Sequence, residues 1–78
     1  MLDLLVRFVG PVRRPGPERT LEVDRSAHAT VGDLLGALGY TPEEQRHLTV
    51  LADGVRRSAE APLHDVQRIE ILVAIGGG

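Results

Sequence analysis

The sequence predicts a small α+β domain in which a sheet of four to five strands carries one main helix packed on one face. Three observations lead there. Short segments with period-two apolar alternation recur along the chain, a single amphipathic helical stripe lies between them, and 78 residues leave room for one sheet and one main helix. The segments run strand, strand, helix, strand, short strand, strand. A hydrophobic content of 42% against 26% charged residues is that of an ordinary globular protein, and no apolar run approaches the length of a membrane span.

The first strand is expected over residues 2–9, with Leu2, Leu4, Val6 and Phe8 on one face and Asp3, Leu5, Arg7 and Val9 on the other. Phe8, the sole phenylalanine, is assigned to the core. Residues 10–17 then contain three prolines and two glycines, which break the strand into a loop. Residues 18–23 alternate again with Leu21 and Val23 inward, predicting an antiparallel hairpin with the first strand. Arg13, Arg14 and Arg19 in or beside this loop are either solvated or set to meet an acidic partner.

Thr30-Val31-Gly32-Asp33 has the marks of a helix start: a hydroxyl N-cap and an acid in the first turn. Val31, Leu34, Leu35 and Leu38 follow the i, i+3, i+4, i+7 rule, a stripe suited to covering a sheet. Gly39 is placed to end this helix in a left-handed conformation. Thr41-Pro42-Glu43-Glu44 repeats the start signal for a turn or so. A third strand is read over residues 47–52, closed by the tight turn Asp53-Gly54, and Val55-Arg56-Arg57-Ser58 as a short fourth strand. Pro62-Leu63-His64-Asp65 is read as connecting structure. The last strand spans residues 67–75, with Ile69, Ile71, Val73 and Ile75 on one face and Glu70, Leu72 and Ala74 on the other.

Several chemistries find no support. There is no cysteine, so disulfides, thiolate metal sites and a cysteine nucleophile are ruled out, and any sulfur must come from outside. His28, His47 and His64 lack the spacing of a helix-borne metal pair, so no metal site is expected. A net charge of -2, short arginine pairs and one Phe with one Tyr argue against a nucleic-acid partner. The start Met1-Leu2-Asp3-Leu4 lacks the features of a signal peptide, and a cytoplasmic protein with no membrane partner is expected. All nine basic residues are arginines, so no lysine side chain is available as an isopeptide acceptor.

The chain closes on Ile69-Glu70-Ile71-Leu72-Val73-Ala74-Ile75 followed by Gly76-Gly77-Gly78. Three glycines do not continue a strand, so the expected organisation is a domain over 1–75 and a flexible tail over 76–78. Such a tail is either a frayed end or a ribbon without Cβ atoms, able to carry a terminal carboxylate into a narrow cleft. Arg7-Phe8-Val9-Gly10, Thr30-Val31-Gly32-Asp33-Leu34-Leu35 and Leu51-Ala52-Asp53-Gly54 add local matches over nearly the whole chain. With these features the chain resembles the ubiquitin-like sulfur carriers of the MoaD/ThiS type, a family that includes the thiamine-pathway carrier and the small subunit of molybdopterin synthase. One place departs from the family pattern: in Leu63-His64-Asp65-Val66 a β-branched residue stands where the family often has glycine, so this turn is expected to have a different shape.

The resemblance implies the ubiquitin-like β-grasp, a mixed sheet with the first and last strands parallel at its centre. It also implies a carrier and not an enzyme, either free or as the small subunit of a synthase, with Gly78 as the reactive residue and Gly77 and Gly76 leading to it. A ubiquitin-activating-like adenylyltransferase would spend ATP to adenylate Gly78, and a sulfur donor enzyme would then leave a thiocarboxylate for a sulfur-accepting synthase. No cofactor would be bound by the chain itself. Leu72, Ala74 and Ile75, on the strand leading to the tail, are the candidates for partner docking; for Leu72 and Ala74 the alternative is cover by a neighbouring element. A protein modifier joined through Gly78 to target lysines, and a β-grasp interaction module without reactive chemistry, are the alternative functions.

Overall fold

Alternation in the first apolar segment produces strand β1 (Leu4–Val9), which buries Leu4, Val6 and Phe8 and leaves Leu5, Arg7 and Val9 on the opposite face. The computed structural model describes residues 4–73, so Leu2 lies outside the described part of this strand. Strand β2 (Thr20–Val23) is shorter than the alternation suggested and pairs antiparallel with β1, Val6 opposite Leu21. Leu21 is a correction: it shares the inner side with Val6 but stays 36% exposed. Being on an edge strand, it meets only a shallow groove formed with Phe8, Pro15 and Gly16.

Helix α1 (Val31–Ala37) begins as its residues dictate. The Thr30 hydroxyl accepts the Asp33 N–H at 3.2 Å, while the Val31 and Gly32 N–H groups bond to the carbonyls of Ala61 and Ala59. Val31, Leu34 and Leu35 are buried, Leu38 packs at the margin, and Gly39 ends the helix with φ +97°. Helix α2 (Pro42–Gln45) carries a capping box between Thr41 and Glu44. The His47 N–H still bonds back to Glu44, so β3 (Leu48–Ala52) starts one residue later than expected.

Asp53 and Gly54 both take positive φ, 51° and 84°, and turn the chain into β4 (Val55–Arg56). This strand ends two residues sooner than predicted because the segment that follows moves across to supply the carbonyls that cap α1. Asp53 has a second role that its position in a turn did not announce. Its carboxylate accepts the N–H groups of Gln67 and Arg68, the latter at 2.9 Å, and so fastens the turn to the start of β5 (Arg68–Val73).

The sheet order is β2-β1-β5-β3-β4, with β1 and β5 parallel at the centre and every other pairing antiparallel. This is the mixed five-stranded arrangement expected, with α1 on one face. Two apolar residues outside the periodic segments join the core. Leu63, expected in connecting structure, is fully buried because its N–H bonds to Ala29 and Pro62 bridges to Thr30 beside the helix start. Val12, inside the proline-rich loop, is also buried. The Val66 turn takes the different shape its side chain requires: Val66 has no positive φ, its N–H bonds to Leu63, and its carbonyl accepts from Arg25.

Candidate functional site

Gly76, Gly77, Gly78, Ala74 and Ile75 lie outside the described residues. The strand that leads to them is described as far as Val73. β5 is hydrogen-bonded on both sides, with Leu72 opposite Val9 of β1 and Thr49 of β3, and Val73 opposite Leu48. Ile69 and Ile71 are fully buried on its inner side. A strand held at both edges and anchored from within is a firm base for whatever follows it.

Register decides what lies on the outer face. Leu5, Val9, Leu51, Thr49 and Glu70 share that side with Leu72, because partners across a ladder point the same way. Leu5, Val9, Leu51 and Leu72 are half-buried by one another's neighbours, and among the described residues both helices pack on the other side. Exposed Arg7, Arg56 and Arg68 stand around this apolar centre, with Glu22 on β2 beyond. The sequence singled out Leu72 here but not Leu5, Val9 or Leu51. The off-core parity of Leu5 and Val9 was visible; the adjacency of all three to Leu72 needed the sheet order.

A second cluster stands at the end of β5. The Arg13 guanidinium meets Glu44 through two parallel bonds, Nε to Oε2 at 3.0 Å and Nη2 to Oε1 at 2.8 Å, and donates also to the Gly39 carbonyl at 2.8 Å. The same group lies 5.1 Å from the Tyr40 ring centroid, and the Tyr40 hydroxyl donates to the Arg13 carbonyl. Glu44 Oε1 closes the capping box by accepting the Thr41 N–H at 2.9 Å. The Arg13 and Thr41 hydrogen bonds together hold the Glu44 carboxyl down at about 2. Burial pushes the Tyr40 hydroxyl up. The sequence left Arg13 either solvated or partner-binding, whereas its charge is matched inside the chain. Among the described residues no three His, Cys, Asp or Glu side chains gather where they could hold a metal ion.

The chain is similar in structure to SAMP1 from Haloferax volcanii, with a TM-score of 0.69 over 97% of this chain and 99% of that one, at 20% identity. The fold is the ubiquitin-like β-grasp. No protein-family profile matches the chain, and no curated protein matches it. Within the β-grasp, both features just described belong to the central strand: the apolar outer face runs along it, and the Arg13 cluster meets its last described residue. Among the described residues no helix is long and apolar enough to cross a membrane.

Proposed function

We propose that this chain is a sulfur carrier whose reacting group is the carboxylate of Gly78. The observation that supports this most is the placement of β5. In a β-grasp fold the central strand is held on both sides up to Leu72 and on one side at Val73, and Gly78 is the fifth residue after Val73. Five residues reach at most about 17 Å, so a partner that grips the sheet receives the carboxylate within that radius.

A carboxylate is a poor electrophile until its oxygen is made a leaving group. A ubiquitin-activating-like adenylyltransferase supplies that: a Gly78 oxygen attacks the α-phosphorus of ATP and pyrophosphate leaves. A sulfur nucleophile, hydrosulfide in the simplest case, then attacks the acyl carbon, the bond to AMP breaks, and one proton is released with the thiocarboxylate. The partner provides positioning and charge stabilisation. This chain contributes the reacting atom and a docking face in which Leu72 joins Leu5, Val9 and Leu51. Ala74 and Ile75 are assigned to the continuation of that contact on sequence grounds.

The test is intact mass spectrometry after incubation with ATP, sulfide and the adenylating enzyme of the same organism, with Gly78 deleted in the control. Replacement of one oxygen by sulfur, localised to Gly78 and absent from the control, is the expected result. An unchanged mass with an enzyme shown to be competent overturns the proposal, and Gly78 conjugates on other proteins without any thiocarboxylate turn it into a protein modifier.

A further inference from the structure

The outer face of the sheet carries a charge pattern that its apolar residues do not explain. One row across the ladder reads Arg7, Glu70, Leu51, Arg56, and Arg68 stands two residues before Glu70 on the same side of β5. All three arginines are exposed. Among the described residues none of them makes an ion pair or a side-chain hydrogen bond, and Arg7 makes none with Glu70 beside it, whereas Arg13 and Arg25 are each tied to acceptors within the chain.

The chain as a whole has the opposite sign. Its net charge is -2, yet among the described residues this face holds three arginines against two carboxylates, Glu22 and Glu70. Glu22 stands on the edge strand, so the centre of the sheet has Glu70 alone. Each arginine also sits beside apolar surface: Arg7 between Leu5 and Val9 along β1, Arg68 across from Leu5, Arg56 across from Leu51. A guanidinium is weakly hydrated and its stem covers apolar neighbours, so it gives up water readily when a carboxylate is brought to it. In the free chain such exposed charges add little stability. Beside a patch that a partner covers, they are screened less and select the sign of that partner.

We infer that the surface this face receives is acidic: an apolar contact over Leu51 and Leu72, flanked by carboxylates of the adenylating enzyme that meet Arg7, Arg56 and Arg68. The inference deepens the docking step of the sulfur-carrier reading and rests on that reading for the identity of the partner. Arg7 and Arg56 are three strand spacings apart, about 14 Å, with β5 and β3 between them. The complementary acids therefore lie on both sides of the apolar contact, and they fix the orientation of the sheet on the enzyme as well as its affinity.

Two variants of the full chain, each lacking three positive charges, test this. In one, Arg7, Arg56 and Arg68 all become Gln, which clears the face. In the other, Arg19, Arg46 and Arg57 become Gln: Arg19 is paired with buried Phe8 on the inner side, Arg46 caps α2, and Arg57 follows Arg56 with the opposite parity. Dissociation constants with the adenylating enzyme are measured by titration calorimetry without ATP, so that docking is read apart from the reaction at Gly78, from about 0.05 M to about 0.5 M NaCl. Wild-type affinity is expected to fall on the order of tenfold over this range. The cleared face should bind about tenfold more weakly at low salt and respond little to added salt, while the second variant keeps the wild-type affinity and slope. Equal weakening of the two variants assigns the effect to net charge and overturns the inference. So does a wild-type affinity that salt leaves unchanged, which would leave the arginines the task of keeping an apolar face wet. ATP–pyrophosphate exchange separates the two readings. Salt-dependent docking through the face without exchange removes the sulfur-carrier reading and keeps the acidic surface; exchange with salt-independent docking does the reverse; no binding overturns both.

Discussion

On the inner side of β5, Ile69 and Ile71 are fully buried beneath α1, whereas on its outer side Glu70 and Leu72 are only half-buried, with no helix above them among the described residues. The same alternation serves both. On β1 it separates buried Val6 and Phe8 from half-buried Leu5 and Val9 in the same way. A chain of this length gathers one helix-covered layer, so every second residue of the central strands is committed to stability and the others are left for contact. Function is therefore to be sought in the apolar residues that the core does not use.

The inner side gives the largest expected effect. Phe8→Ala empties a site that is 2% exposed at the centre of the parallel pair and should cost about 3 to 5 kcal/mol. Domains of this size hold only a few kcal/mol in total, so the variant should be largely unfolded by denaturant titration at room temperature. A loss below about 1 kcal/mol would mean that the two sides are less unlike than their burial says.

What the sequence made legible follows the same division. Val31, Leu34 and Leu35 were readable because a helix that covers a sheet must repeat its apolar residues at helical spacing, and the Thr30 and Thr41 caps were readable because orphan N–H groups need an oxygen. The parallel pairing of β1 with β5 came from resemblance alone, since period-two alternation has no direction. Leu63, Val12 and Tyr40 escaped because each is buried from a segment without a period, through contacts to residues far along the chain: Leu63 to Ala29, Tyr40 to Arg13. Leu21 shows the converse. Its parity was right, but an edge position has too little above it to bury a leucine. The candidate site was legible as a motif at Gly76, Gly77 and Gly78 and as one half-buried leucine, Leu72; the face around Leu72 depended on which strands lie beside β5.

The outer side is expected to behave in the opposite sense to Phe8. Leu72→Arg places a long charged side chain on a half-exposed position between Val9 and Thr49, next to solvent, and should change stability by about 0.5 kcal/mol or less. Its effect belongs to docking. KM for the adenylating enzyme should rise on the order of tenfold with kcat preserved, because a charge replaces the apolar side chain that the enzyme would bury. If Leu72→Arg unfolds the chain, the outer face is part of the core and the distinction between the two sides fails.

The smallest effect concerns the Arg13–Glu44 pair, which belongs to neither side and is held by charge where the sheet is held by burial. Glu44 is kept at about 2 against an ordinary 4.5, first by the Arg13 hydrogen bond and then by the Thr41 N–H. A carboxyl depressed on folding adds stability that is complete above its unfolded value and is lost as pH falls through the folded one. The window is thus from about 4.5 down to about 2, and Arg13 remains charged throughout it. Glu44→Gln keeps the shape and removes the charge. It should be slightly less stable than wild type near neutral pH, with the gap shrinking below 4.5 and closing near 2. Because both side chains are largely exposed, at 52% and 40%, added salt should narrow the gap at neutral pH. Denaturation midpoints of the two proteins at pH 7, 4 and 2 decide it: a gap of constant size would mean that the difference does not come from the charge of Glu44 on Arg13.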